Sequence, residues 1–556
     1  MKWRVKIQNS KLLSRLNIKK IIEVLLSNRG LETKKEQEDF LKPSMKLLEQ
    51  DFFEKKEVEK ALKRIKDAIK KKETIIVYSD YDADGITGGA IVWETLRDGD
   101  GGASVFPYVP DRIADGYGLS KNGIDNIKKS YLGTKLIITV DHGITAEKQV
   151  EYAREQGIDV IITDHHTFPP KLPEALAIIH SLDLSGSGVA YIFSGLIRKS
   201  LNLRDGKDHL SLAAFGTIAD LVPLVGPNRV IAAFGLAELS KTKRIGIRAL
   251  LETSFIEKKK LTPYDVSFIL APKINAAGRL THALDSLRLL CTKDEKRAGM
   301  LAEKLNRVNL DRQQMLASSV DHAKKIIGGK SADFIFISDE SYHEGVIGLI
   351  AGKLTEEFYR PSVVIARKEK YSKASARSIA GFNIIDAIRE VSDILVDCGG
   401  HPMAAGFTVE TKNIETVKKR LQKVVEEKIE KKFLEKVLQV DLELDFASIS
   451  GDFFQRLEKF APFGIGNPEP VFSTSKVKII SARVIGRDSQ HLKLHLQADK
   501  DGERITFEAV GFGMGSLYDN LSPAKTYGIA YTIFENSWNG ESKLQLRLRD
   551  IKHSDA

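Results

Sequence analysis

Three short segments of this 556-residue chain place acidic and imidazole side chains where a hydrolytic centre would need them. Asp80, Asp82 and Asp84 fall in SDYDADG, Asp141 in TVDHG, and Asp164, His165 and His166 in ITDHH. Each segment closes a short β-branched run: TIIVYSD, LIITVD and DVIITD. Such runs, alternating with helical stretches such as TAEKQVEYAREQ, predict a parallel sheet covered on both faces. Strand C-termini in an open parallel sheet share one edge, so these groups should converge there. Several carboxylates gathered with imidazoles would repel one another unless cations neutralised them. Oxygen-rich donors with imidazole suit Mn²⁺ or Mg²⁺ better than a thiol-preferring metal. Two such ions, about 4 Å apart and bridged by an aspartate, could activate a water and stabilise the leaving oxygen of a phosphoester. Taken singly, each aspartate could instead be a helix N-cap or a turn residue. Three strand ends carrying such groups together point to a site.

The elements that position these groups emerge from changes in pattern, because no repeat period or low-complexity tract is present. Residues 1–50 read as a partly helical arm. Within residues 57–72, Val58, Leu62, Ile65 and Ile69 mark the apolar face of a Lys-rich helix. It opens an α/β domain, residues 51–255, that carries the acidic segments. A helical connector (256–330) contains a long helix over 297–327 and ends near Gly328 and Gly329. A second, smaller α/β domain (331–432) alternates ADFIFIS, GVIGLIAGKLTEEF and PSVVIAR. From 433 to 556, alternating strands separated by turn residues, beginning with VLQVDLELDF (437–446) read as one strand, predict a small antiparallel barrel.

Apolar residues make up 42% of the chain and charged residues 29%, a globular balance that leaves no large disordered fraction. The net charge of +10 favours a polyanionic partner. Two distant cysteines, Cys291 and Cys398, support neither a disulfide framework nor a zinc finger. The basic N-terminus lacks the apolar core of a secretory signal, and nowhere do about 18 consecutive apolar residues occur. The expectation is a soluble protein of a reducing cytoplasm, with no membrane association.

SDYDADG, TVDHG, ITDHH and FGTIADLVPL resemble the four motifs of the DHH phosphoesterase superfamily, with Asp164-His165-His166 as the DHH itself. CGGHPMAAGF (398–407) resembles the signature of the associated DHHA1 domain. APFGIGNPEPVF (461–472) resembles the segment that opens the C-terminal OB-fold of the RecJ family, single-strand-specific DNA exonucleases. The order matches that family from about residue 50 onward. The resemblance implies a parallel-sheet DHH domain, a connecting helix, a smaller DHHA1 domain and an OB barrel.

For the site, the resemblance implies metal ligation by Asp82, Asp84, Asp141, His165 and Asp220, with Asp141 bridging two ions. It puts His166, with Asp164 beside it, at the scissile phosphate. Some relatives carry a histidine four residues before the first motif aspartate. Tyr78 stands there in this chain, and Asp80 is taken as the replacement ligand. His142 is either a further ligand or a ring packed nearby. Guanidinium forks suit phosphate oxygens: Arg279 is assigned to the scissile backbone, and Arg112, Ser375 and Arg377 to a terminal 5′-phosphate.

Asn309, Arg312 and Gln313 are expected to meet the strand backbone, or else to form a solvated helix face. His343, before a helix N-terminus that could bind phosphate, and His401 are further candidates, with a structural histidine as the alternative for each. In the barrel, Lys493, Phe512 and Trp538 are candidates for strand binding by charge and stacking, against the alternative of core aromatics.

The implied function is a metal-dependent 5′ to 3′ exonuclease that degrades single-stranded DNA to mononucleotides in recombination and repair. The implied protein is a monomer, with a single-strand-binding protein and a repair helicase as candidate partners. A phosphodiesterase for cyclic dinucleotides or short oligonucleotides is the competing enzyme, although such relatives lack the barrel. A non-catalytic replication scaffold is a third reading, which intact acidic motifs oppose.

Overall fold

The computed structural model describes all residues except 7–16, 100–102, 113, 205, 207, 258–259, 330–331, 501, 539–540 and 555–556. The chain forms two compact units. One contains Leu48–Val222 and Phe234–Lys436; the other contains Met1–Leu47, Pro223–Ala233 and Val437–Ala556. The first strand, β1 (Lys2–Val5), belongs to the latter.

The larger unit is built on five parallel strands: β2 (Thr74–Ser79), β3 (Ser104–Tyr108), β4 (Thr134–Val140), β5 (Asp159–Asp164) and β6 (Ala177–His180). Their order is β3-β2-β4-β5-β6. Every residue of β2 is buried, as its continuous apolar run requires. Ile76, Tyr78, Ile137, Val160 and Ile162 form a core with Ile124 and Ile127 of the helix Lys121–Ser130 and Val150 of Glu147–Glu155. The largely buried helices Ala83–Asp98 and Gly186–Ser200 pack against the sheet's other face, and His209–Ala219 packs on both of them. Because β3 lies to one side of β2 and β4 to the other, the chain reverses direction between them. The crevice beyond β2 and β4 is thus the topological switch point, where ligands bind in such sheets. SDYDADG and TVDHG lie there.

The connector holds a single π-helix over Asp265–Leu270, the helices Ala271–Leu280 and Leu284–Cys291, and one long helix, Glu295–Ile327. That helix ends on Gly328, whose φ of 57° needs glycine's freedom, where the sequence placed the end of the long helix. The second sheet comprises β7 (Ile335–Asp339), β8 (Ser362–Ala366), β9 (Tyr371–Arg377), β10 (Asp397–His401) and β11 (Ala404–Glu410), in the order β10-β11-β9-β8-β7. Only β7 and β8 pair in parallel; the other neighbours are antiparallel.

The smaller unit continues with β12 (Val437–Val440), β13 (Leu442–Glu443), β14 (Phe472–Ile485), β15 (His491–Lys500), β16 (Glu503–Gly511), β17 (Thr526–Trp538) and β18 (Glu541–His553). Strands β14-β15-β16-β18-β17 close into a five-stranded barrel through β14–β17 pairing. The barrel is antiparallel apart from one parallel pair, β16 with β18.

Two details differ from the sequence expectation. The run 437–446, read as one strand, splits at Asp441: β12 pairs with β1, and β13 with β14. Residues 1–50 are not a free-standing arm, since Ile21, Ile22, Leu25 and Leu26 enter the same core as Leu492, Leu494, Ile529 and Leu546. An amphipathic helix finds its partner by burying its apolar face, however distant that partner is in sequence.

Candidate metal centre

The acidic groups meet at the switch-point edge. Asp82 is the N-cap of Ala83–Asp98, its Oδ1 accepting the amides of Asp84 and Gly85 at 3.0 Å each. It is therefore both the cap residue its context suggests and a member of the cluster. Asp84 is held by the first amides of the helix Gly186–Ser200: Gly186 donates at 2.7 Å and Ser187 at 3.0 Å. Asp141 follows β4 with a left-handed φ of 68°, strain of the kind that concentrates at functional sites. A Cβ at Gly186 would lie 2.2 Å from Asp141 Oδ1, so only glycine allows this approach.

Three groups of donors, each with atoms within 4.8 Å of one another, result: Asp80, Asp82 and Asp141; Asp84, His165 and Asp220; Asp141, His165 and His166. Asp141 belongs to two of the three.

Burial, together with neighbouring charge from Asp84, holds Asp141 well above the usual carboxylate range. Burial and Asp82 do the same to Asp80, and burial with Asp84 and Asp82 pushes Asp220 up to about 8. His165 is lowered by burial. His165 Nε2 and Asp141 Oδ1 lie 3.1 Å apart, yet both are buried and neither has a hydrogen-bond partner. Two buried polar atoms without hydrogen-bond partners are costly to leave unpaired. Divalent cations remove both difficulties, so the donor set, oxygen-rich with one or two imidazoles, fits Mn²⁺ or Mg²⁺.

Asp164 lies outside the carboxylate pair that faces His165. Its Oδ1 accepts the His166 amide and sits 2.7 Å from His166 Nδ1, and its Oδ2 accepts the amide of Ile144 at 2.8 Å. Although burial opposes ionisation, the hydrogen bond from His166 leads the contacts that keep this carboxylate below its usual range. Burial opposes charge on His166 too, but the Asp164 hydrogen bond lifts its imidazole to about 9. Asp164 thus orients His166, whose Nε2 remains available. Tyr78, in place of the histidine of some relatives, turns its hydroxyl away to the carbonyl of Gly118. His142 stands 3.0 Å from the Tyr78 carbonyl through Nε2, in none of the three donor groups.

Cationic residues gather in the same unit. Arg279 ends the helix Ala271–Leu280 and donates to the Gly345 carbonyl at 3.3 Å. Burial, then the like charges of Arg112 and Arg312, push its guanidinium down to about 10, with Arg377 contributing further. Arg112 lies 5.5 Å over the Tyr81 ring. Arg377 donates to Ser375 Oγ at 3.1 Å, and a Cβ on Gly348, in the first turn of the helix Ile347–Phe358, would come within 3.0 Å of both side chains. His343 Nδ1 accepts the Gly345 amide at 3.0 Å, next to the carbonyl that binds Arg279.

Asn309 is buried and its Oδ1 holds Arg312 Nε at 3.1 Å, whereas Gln313 is exposed. His401 is exposed at the end of β10.

In the other unit, Lys493 is paired with Glu508 at 2.9 Å and so is not a free cation. Phe512 is exposed, its ring edge-on to His491. The side chain of Trp538 lies outside the described residues.

Three contributors escaped the sequence reading. Tyr117, its exposed ring edge-on to Tyr81, partly offsets the burial that raises Asp80 and sits between the left-handed Gly116 and Gly118; its DGYG context was the available signal. Asn275 Oδ1 accepts the Ala83 amide at 2.7 Å. The Gly186 and Ser187 amides that fix Asp84 come from a GSG turn that carries no chemistry of its own.

Comparison with known proteins agrees with this arrangement. The DHH family N-terminal domain matches residues 74–217, the DHHA1 domain 329–430, and the RecJ OB domain 440–550. The single-stranded-DNA-specific exonuclease RecJ of Bacillus subtilis is 34% identical over 575 aligned residues, covering 100% of this chain and 71% of that protein. The corresponding exonuclease of Haemophilus influenzae is 30% identical, covering 90% of this chain and 91% of its own. The crystal structure of Thermus thermophilus RecJ in complex with Mn²⁺ superposes with a TM-score of 0.82 at 28% identity, covering 99% of this chain and 79% of that one. With identity of this level over essentially its whole length, and all three domain types in the same order, the chain belongs to the RecJ family of single-stranded-DNA-specific exonucleases.

Proposed function

We propose that this protein is a metal-dependent exonuclease that degrades single-stranded DNA from its 5′ end, releasing 5′-mononucleotides in recombination and repair. The observation that carries this reading is the pairing, within one unit, of a buried carboxylate–imidazole cluster with the guanidinium of Arg279, itself under the influence of three further arginines. Such a pair offers donors for divalent ions and a counter-charge for a phosphodiester.

Asp80, Asp82, Asp84, Asp141, His165 and Asp220 would hold two divalent ions. Bound there, the ions supply the Lewis acidity that activates water and stabilises the leaving oxygen. Arg279 orients the scissile phosphate, since its planar fork can meet two oxygens at once. His166, fixed by Asp164, presents Nε2 as a hydrogen-bond donor to the same phosphate. Ser375, Arg377 and Arg112 would receive a terminal 5′-phosphate beside the first turn of Ile347–Phe358, where free amides favour anions.

Arg312 and Gln313 continue the contact along the backbone, with Asn309 holding Arg312. His343, His401 and the exposed Phe512 are further strand contacts in this reading. Among the described residues, no helix is long and apolar enough to cross a membrane. A monomer acting in the cytoplasm, alongside a single-strand-binding protein and a repair helicase, completes the proposal.

The decisive experiment follows matched single-stranded and duplex DNA, labelled at either end, with Mn²⁺, with Mg²⁺ and with chelator. A 5′-labelled mononucleotide appearing from the single strand alone, and only with metal, supports the reading; release from the 3′ end refutes its polarity. Arg377→Ala should erase most of the preference for a 5′-phosphorylated over a 5′-hydroxyl end, by about tenfold, as expected for a charge-assisted contact. An unchanged preference removes Arg377 from that pocket.

A further inference from the structure

The turn that carries His166 is held from two sides. Asp164 Oδ1 accepts the amides of His165 at 2.7 Å and His166 at 3.1 Å, and lies 2.7 Å from His166 Nδ1. The other side is His180, the last residue of β6, an edge strand whose pairing with β5 sets His180 opposite Asp164. His180 Nε2 stands 2.7 Å from the His166 carbonyl oxygen. A carbonyl oxygen only accepts, so His180 Nε2 carries a proton and donates it to this bond.

A peptide unit is planar, and a hydrogen bond at its N–H or its C=O therefore orients the whole unit. The His166 amide belongs to the unit before its Cα, and the His166 carbonyl to the unit after it. With Asp164 holding the first and His180 the second, φ and ψ of His166 are both constrained, and with them the direction of its Cα–Cβ bond. Asp164 then fixes the ring through Nδ1, so that Nε2 is left with one direction to point.

Phe168, in the same turn, braces the arrangement. Its ring, 49% exposed, lies 4.1 Å from the His180 imidazole at an interplanar angle of 36°. Contact with an aromatic face limits how far the imidazole can swing from the carbonyl. His180 belongs to none of the three donor groups, and its Nε2 proton is engaged by the backbone. What His180 can offer the site is therefore geometry.

We propose that His180, braced by Phe168, is a positioning residue for His166: by holding the His166 carbonyl it aims His166 Nε2 at the scissile phosphate. The inference rests on the reading of His166 as a donor to that phosphate. Strand β6, which supplies no metal donor, then contributes to the rate through the backbone of its neighbour.

The test follows single-turnover cleavage of a 5′-labelled single strand, with saturating Mn²⁺, by the unsubstituted full chain, His180→Leu, His180→Gln, His166→Ala and the His166→Ala/His180→Leu double variant. Thermal unfolding, Mn²⁺ affinity and binding of an uncleavable strand are recorded for each. Leucine fills the space without a donor, whereas the amide nitrogen of glutamine stands at the same ε position and can donate. His180→Leu should slow cleavage by about tenfold, as a misaimed group does, and leave both affinities within about twofold. His180→Gln should recover most of that loss. In the His166→Ala background, the change to leucine should cost less than about twofold, because the group it aims is gone. An unchanged rate in folded His180→Leu, a glutamine variant no faster than the leucine one, an equal loss in both backgrounds, or weakened Mn²⁺ binding overturns the proposal. His166→Ala cleaving at the unsubstituted rate refutes instead the role of His166, and the proposal with it. If His180→Leu fails to fold, Phe168→Leu removes the ring from the same contact and is judged by the same cycle.

Discussion

Asp141→Asn is expected to reduce hydrolysis of a 5′-labelled single strand by about 10³-fold while leaving strand binding within a few-fold of the unsubstituted protein. The substitution keeps the shape and removes the charge. Asp141 belongs to two of the three donor groups, and its Oδ1 is buried, without a hydrogen-bond partner, 3.1 Å from His165 Nε2. An amide there would direct either a donor or a weaker acceptor at the shared position, so both candidate ions lose their common support. Binding should survive because the arginines proposed to meet phosphate stand on other elements. Quenched-flow product release, paired with fluorescence anisotropy on an uncleavable strand, separates the two. Near-normal turnover in Asp141→Asn would sink the two-ion assignment.

Arg279→Lys should lower kcat/KM by about 10²-fold, the largest effect expected of any cation in the protein. Burial and the like charges around Arg279 already disfavour its charge, to the point of a guanidinium near 10, which marks a position that gains from an arriving anion. Lysine keeps a charge but loses the planar fork, so orientation suffers more than attraction. The loss should therefore appear mainly in kcat, and Arg112→Lys, whose guanidinium lies on the face of Tyr81, should cost less. An Arg279→Lys enzyme with unaltered kcat would place the scissile phosphate elsewhere.

How much of this was legible in the sequence differs by element for physical reasons. TIIVYSD, LIITVD and DVIITD announced buried parallel strands because a strand covered on both faces needs an unbroken apolar run, and its C-terminal aspartates had one edge to share. The end of the long helix at Gly328 was legible because a left-handed cap needs glycine. That Asp164 stands beside His166 followed from the resemblance, but which of its oxygens meets His166 and which meets Ile144 was not legible, because it depends on a turn only the fold defines. The replacement of histidine by Tyr78 became interpretable only when its hydroxyl proved to point at Gly118 while Asp80 joined Asp82 and Asp141. Arg229, an isolated cation in an apolar helical stretch, gave no hint that it is buried and donates to the carbonyls of Phe40, Phe460 and Ala461, because all of them are remote in sequence. The junction of residues 1–50 with the barrel was hidden for the same reason.

That junction bears on how the molecule is made. Strand β1 pairs with β12, and Trp3 Nε1 bonds Asp550 across 547 positions of chain. At ribosomal speeds of about 5–20 residues per second, roughly half a minute to two minutes separates the birth of these partners. Throughout that interval the apolar face of Ile18–Ser27 has no core to enter, while the last residues of the larger unit emerge before any strand of the barrel. Strand β1 and the helix Ile18–Ser27 thus wait for partners made far later in the chain, and a nascent chain cut short before the barrel exposes that apolar face to chaperones or to aggregation.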